Sequence, residues 1–242
     1  MKTRLASAFS FSSDGGMLKR ASITGLGFLV ILVVLLGFYW SGEPAAFSVQ
    51  QRTAQKLALV GNDYVVGSTT TVALITVAET LLNKPGGYLS NDISPPGIYL
   101  DNIPNWEFGA LVQVRDLART FRESFSRSQS QSTEDPDLII SEPKFHFSND
   151  SWLFPATESE YAEAISRLDS YLARISDPAN TDAQFYARAD NLADWLLAVE
   201  SRLGSLSQRL SASVRQSRVN TDTSGETVVT QSAQSMPVRS EV

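Results

Sequence analysis

Few side chains in this sequence are of the types that do chemistry in the right company. Glu158 and Ser159 stand together at the start of a helical pattern, and a carboxyl group placed there could give and take a proton beside a hydroxyl. A plainer reading fits the same stretch. Glu158 and Glu160 are first-turn acids that complement the helix dipole, and Glu160 completes a capping box with Thr157. His146 is the one histidine, so any Ser-His-Asp relay must use it, and no G-x-S-x-G elbow accompanies it. One histidine and no cysteine argue against a transition-metal site. Glu134, Asp135 and Asp137 cluster but lack the glycine and terminal glutamate of a calcium loop. Pro85-Gly86-Gly87 lacks the Gly-Lys-Ser/Thr that cradles phosphate. No residue is therefore assigned to catalysis, to a cofactor or to a metal.

The strongest enzyme reading compares Glu158-Ser159 with lytic transglycosylases, in which one glutamate beside a serine serves as acid and base in a helical domain. Their Gly-Leu-Met-Gln element is missing here. A peptidoglycan-directed enzyme or binder thus stands as the alternative to a non-enzymatic protein.

The elements that would position such groups begin with an anchor. Ala21 to Trp40 carries no charge and spans about 30 Å as a helix, the thickness of the hydrocarbon core. Tyr39 and Trp40 close it with an interfacial aromatic belt. Lys2, Arg4, Lys19 and Arg20 precede it against Asp14 alone, while Ser41, Gly42, Glu43 and Pro44 follow. The positive-inside rule puts the N-terminus in the cytoplasm and the remainder across the membrane. A cleaved signal peptide would have a shorter apolar core and a small-x-small cleavage site, which Pro44-Ala45-Ala46 matches poorly. Ala21 and Gly25 make one weak small-xxx-small pair, which leaves homo-oligomerisation open. Without cysteine the chain has neither a disulfide scaffold nor a lipid attachment point. Setting aside the five charges before the span leaves 16 basic and 25 acidic residues, a net of -9, which excludes nucleic acid as a partner class and broad binding to anionic lipid.

Beyond the anchor the pattern is helical, and the chain divides into a cytoplasmic tail (1–20), a transmembrane helix (21–40), a spacer (41–67) with one short weakly amphipathic run at Val49 to Val60, a periplasmic helical domain (68–218) and a disordered tail (219–242). Val72, Ile75, Ala78 or Glu79, and Leu82 recur at helical spacing, although the β-branched start also fits a strand. After Asn105 as N-cap, Leu111, Val114, Ala118, Phe121 and Phe125 mark a second seam. The following SRSQSQSTEDPD reads as a polar loop. Tyr161, Ile165, Leu168, Leu172 and Ile175 mark a third seam, ended by Asp177-Pro178. A second capping box, Thr181 with Gln184, opens a fourth helix in which Phe185, Ala189, Leu192, Leu196, Val199, Leu203, Leu206 and Leu210 keep a heptad rhythm. Its acids (Asp182, Asp190, Asp194, Glu200) come early and its arginines (Arg202, Arg209, Arg215, Arg218) late. That sorting fits either dipole complementarity or a basic end that meets an acidic partner.

Two stretches are neither periodic nor polar. Lys84 to Gly109 strings Tyr88, Leu89, Ile93, Ile98, Tyr99, Leu100, Ile103, Trp106 and Phe108 among prolines and glycines. Such a loop orders only by burying those side chains, because fixing each backbone residue costs about 1–2 kcal/mol. Phe145 to Pro155 holds Phe145, Phe147, Trp152 and Phe154 and is expected to pack beside it; aromatics there also suit stacking on sugars. The first loop is either a lid on the core or a contact face.

The runs GGYLSNDISPPGIYLDNIPNWEFGALVQVRD, FSRSQSQSTEDPDL, QFYARADNLADWL and RLGSLSQRLSAS resemble a family of uncharacterised Gram-negative bacterial inner-membrane proteins, domain of unknown function 2333, over roughly residues 68–215. The resemblance implies an inner-membrane protein with a periplasmic domain and brings no activity or catalytic residue with it. The expectation is thus an all-α protein: a single N-terminal transmembrane helix followed by a periplasmic antiparallel helical bundle with long ordered loops. It would be a non-enzymatic scaffold or assembly component that binds other envelope proteins without a cofactor. Tyr88, Tyr99, Asn102 and Trp106 of the loop, with Arg202, Arg209 and Arg215, are the expected partner contacts.

Overall fold

In the computed structural model, residues 15–61, 63–128, 133–215, 220–221 and 227–228 are described. Among them the chain is helical apart from a two-residue antiparallel pairing of Asn220–Thr221 with Thr227–Val228. The rest of the expected tail lies outside the described residues. The helices are α1 (Gly15–Trp40), α2 (Val49–Val60), α3 (Ser68–Asn83), α4 (Asn102–Thr120), α5 (Pro136–Phe145), α6 (Thr157–Ser176) and α7 (Ala189–Arg215). The chain forms two compact units, 1–187 and 188–242.

Within the first unit, α3, α4, α5 and α6 pack in a closed ring, each against two neighbours, with α2 laid on α3 and α6. The core is built around three of the seams read from periodicity, joined by Leu74 and Leu81 of α3, Leu138 and Phe145 of α5 and Tyr171 of α6. Val72, Ile75 and Ala78 of α3 face Leu111, Val114 and Ala118 of α4 and Tyr161, Ile165, Leu168 and Leu172 of α6, all buried. Phe121 and Phe125 continue the α4 seam through one π-turn, and Phe185 lies 4.9 Å from Phe125, ring on ring.

Four expected boundaries moved, each because a tertiary contact outweighed a local signal. The presumed spacer is part of the domain: α2 buries Thr53 and Leu57, and Lys56 bridges Glu79 and Asp169, both at 2.7 Å. Helix α4 starts at Asn102, not after Asn105, and Pro104 is tolerated in its first turn because an amide there needs no helical partner. Thr157 does not form a capping box. Its hydroxyl donates to Ser148 and Ser151 carbonyls at 2.8 and 3.0 Å, and Glu160 pairs with Lys144 at 2.7 Å. Thr181 caps nothing: 183–188 is irregular, because the Gln184 carbonyl accepts from Tyr171 Oη and the Tyr186 amide donates to the Phe125 carbonyl, both at 2.7 Å. Phe185 therefore belongs to the core and not to a helical seam.

Helix α5 was not expected. Asp135 is its N-cap, accepting from the amides of Asp137 and Leu138 at 3.0 and 3.3 Å, and Pro136 takes the first helical position. Arg174 ties Asp135 and Asp137 to α6 at 2.6 Å each, and Arg122 holds Glu134 and Glu142 at 3.0 Å. The acidic cluster thus starts a helix and fastens it.

The long loop between α3 and α4 closes on one buried ion pair. Lys84 Nζ donates to Glu107 Oε1, and both side chains are essentially inaccessible to water. Lys84 also donates to the carbonyls of Leu81 (3.3 Å) and Gly87. Glu107 accepts the amides of Leu89 and Ser90, each at 2.8 Å, and the Ser90 hydroxyl. Removing one charge strands the other without water, so Lys84→Met or Glu107→Leu alone should cost about 3–5 kcal/mol. The double variant should cost less than the two singles added together. Thermal melts of the full chain in detergent check both; additive losses would show the pair to be uncoupled.

Candidate functional site

The expected residues of the 84–109 loop lie at the α1 end of the first unit, where two loops are cross-braced; the three expected arginines belong to α7 in the second. Tyr88 is buried rather than exposed. Its ring meets Tyr161 edge-on at 5.6 Å, and its hydroxyl donates to the Asn149 carbonyl at 3.1 Å. Burial is the main reason the Tyr88 phenol is pushed far above its ordinary value. It is therefore a core residue, and its expected place on a partner face is withdrawn. Asn91 Nδ2 donates to Glu158 at 2.8 Å and to the Ser151 carbonyl at 2.9 Å, which joins the first loop to the second. Arg115 on α4 secures that second loop by donating to the Phe145 and Phe147 carbonyls at 2.7 and 2.8 Å.

The first loop also meets the apolar helix. Val33, Leu36, Gly37 and Trp40, one face of α1, are shielded, while Val34, Leu35, Phe38 and Tyr39 are exposed. A Cβ placed on Gly37 would lie 3.4 Å from Pro96 Cβ; one on Gly86 (φ +88°) would lie 2.8 Å from Trp40 Cγ. Gly86 thus gives both the left-handed backbone and the room for the Trp40 indole. Asn102 Nδ2 donates to Ser41 Oγ at 2.9 Å and to its carbonyl at 3.3 Å, so its amide is occupied by the end of the anchor. Trp106 lines a cleft of about 540 Å³ with Asn102 and Glu43 to Phe47. Tyr99 is exposed, as expected.

The second aromatic stretch divides. Phe145 is buried as expected, but Trp152, Leu153 and Phe154 are exposed, Phe154 fully. Trp152 lines a second cleft of about 530 Å³ with Asn91, Asp92, Ile93, Ser94, Ala156, Glu158 and Ser159. Asp92 was not singled out from sequence. Its carboxyl is pushed above the ordinary value first by burial, then by the nearby Glu158 and Glu107 charges, with Lys84 opposing. Ser159 Oγ donates to the Ala156 carbonyl at 2.7 Å, a local bond within the first turn of α6. His146 is held by the Glu142 carbonyl (3.0 Å) and Arg119 (3.2 Å). Among the described residues, no group of His, Cys, Asp or Glu is arranged to hold a metal ion.

The second unit holds α7, an amphipathic helix of 27 residues. Leu192, Leu196, Leu203, Leu206 and Leu210, on its heptad seam, are 46 to 68% exposed. Arg202 and Arg209 flank the seam in its late half, and both are exposed. Arg215 ends the helix, and its side chain lies outside the described set.

An all-helical protein with one N-terminal helix long and apolar enough to cross a membrane (Lys19–Trp40) is what these elements define. The chain belongs to the family described as "Uncharacterized protein conserved in bacteria", domain of unknown function 2333, which it matches over residues 13–241. No curated protein and no solved structure matches it.

A raised carboxyl value means that the folded state holds the Asp92 proton more tightly than the unfolded state. The ionised side chain therefore opposes folding at neutral pH, and the opposition fades as pH falls through the raised value. Asp92→Asn should melt at a higher temperature than the parent at pH 7, and the difference should vanish below pH ~4, where Asp92 is protonated in both states. Melting curves across that range test it; a difference that grew on acidification would contradict the assignment.

Proposed function

We propose that this protein is a non-enzymatic, single-span component of a bacterial inner membrane whose periplasmic part binds another envelope protein. The charge order supports the topology: Lys19 and Arg20 stand at one end of the span and Glu43 follows the other. The observation that carries the binding role is the α7 seam. Five leucines at heptad spacing, on a helix about 40 Å long, form a surface that a second helix covers by knobs-into-holes packing. Arg202 and Arg209 beside the late half suit a partner helix with acids along that flank. The partner role expected of the 84–109 loop thus passes largely to α7, because Tyr88 is buried and Asn102 is engaged by Ser41.

A photo-cross-linking residue at Leu203 or Leu206 in living cells should yield a discrete adduct with another envelope protein. Leu196→Glu with Leu203→Glu should weaken capture about tenfold or more, with the melt of the first unit unchanged. An adduct with a second copy alone would replace the reading by homo-oligomerisation, and no adduct at either position would end it. The cleft holding Glu158, Asp92 and Trp152 favours a second reading, a peptidoglycan-directed protein, because carboxyls and an indole are side chains that bind and act on sugars. Purified full chain should then retain or cut cell-wall sacculi, and Glu158→Gln should abolish the cutting. Sacculi left intact and unbound would remove this reading.

A further inference from the structure

We propose that the two braced loops form a foot that inserts into the membrane beside the anchor, in the leaflet on the domain's own side. The inference uses the part of the reading above in which α1 spans the bilayer; it does not need a protein partner. The span of 22 residues is about 33 Å long and fills the hydrocarbon core. Gly37 lies three residues inside its outer end, about 4.5 Å down the helix. Pro96 packs on Gly37, so the tip of the first loop reaches alongside the span to that depth.

The side chains around this contact are the wrong ones for water. Ile93, Ile98 and Tyr99 on the first loop, and Trp152, Leu153 and Phe154 on the second, are all exposed. Ile93 and Trp152 line one cleft, and Asn91 ties the two loops, so these residues belong to one continuous, rigidly held feature. An apolar set that includes Tyr and Trp, on loops braced together and joined through Pro96 to the outermost turn of a span, has the composition of an interfacial insertion, which reaches about 5–10 Å into the bilayer. Insertion would remove from water surface that is otherwise uncovered. The charges next to the foot are Asp92, Asp150 and Glu158, and Lys84 is buried. Attraction to anionic headgroups therefore contributes nothing, and the acyl-headgroup boundary is the ligand.

The native chain has no cysteine, so single cysteines at Ile98 and Phe154 can carry an environment-sensitive fluorophore. Val34→Cys in the span and Ala179→Cys beyond the far end of α6, about 30 Å of helix away from the second loop, serve as references. The full chain is placed in phosphatidylcholine nanodiscs containing lipids with a nitroxide near the acyl carbonyl. Labels at 98, 154 and 34 should lose most of their emission to the lipid nitroxide and resist aqueous iodide, and the label at 179 should do the reverse. Added phosphatidylglycerol or high salt should change neither pattern. Quenching at 34 with iodide-accessible labels at 98 and 154 overturns the foot and leaves the anchor standing. Iodide access at 34 as well overturns both readings.

Discussion

The first unit depends on taking two full charges out of water at Lys84 and Glu107. Each ion is costly to desolvate, and their mutual attraction offsets that only because every remaining donor and acceptor is used. Glu107 receives two amides, a hydroxyl and the ammonium, while Lys84 also reaches two carbonyls. An apolar pair of similar volume is often no less stabilising, but it imposes no single register on a loop. The ion pair accepts one, since a shift of a single residue would leave a buried charge short of partners. It joins residues 23 apart in sequence, Lys84 just after α3 and Glu107 in the second turn of α4, across the loop between them. From that fixed closure follow the Gly86–Trp40 contact, the Tyr88 ring on Tyr161 and the Asn91 brace to the second loop.

What sequence could show was whatever repeats. The seams of α3, α4 and α6 and the anchor were legible because burial at a period of 3.6 residues leaves its trace in every turn. Single-residue signals were less reliable because each has rivals. Thr157 and Thr181 both open a capping-box pattern, yet Thr157 spends its hydroxyl on the second loop and the Thr181 segment is drawn onto α4 and α6. Asp135-Pro136-Asp137 looks like an acidic cluster short of a calcium loop, whereas an N-cap followed by proline is a helix start. The Lys84–Glu107 pair was out of reach: nothing in a sequence says that two charges bracketing an apolar loop will meet inside it.

Periodicity also could not tell an occupied seam from an open one. The α6 pattern and the α7 pattern look alike on paper, with leucines three and four residues apart. Tyr161, Ile165, Leu168 and Leu172 are buried, whereas Leu196, Leu203 and Leu206 are exposed. The difference lies in what surrounds each helix. Helix α6 has α3 and α5 against it, and among the described residues of its own unit α7 has no other helix to pack on. A heptad seam certifies that a helix has an apolar face; which surface covers that face is decided elsewhere, by another element or another molecule.

The same distinction separates the two kinds of exposed apolar surface. A straight seam of regular period on a long helix suits another helix, whose holes recur at the same spacing as the knobs. The foot has no period. Its six large side chains come from two loops, in an order set by the Asn91 brace and the Lys84–Glu107 closure, and their spacing offers no register for a protein helix to read. Lipid needs no register, since the hydrophobic effect depends on area and not on direction. A protein that must hold a partner and also hold itself at a bilayer has reason to use an ordered surface for the first task and an irregular one for the second. Rigidity serves the irregular surface too: side chains held at fixed depth lose less entropy on entering the membrane than those of a mobile loop.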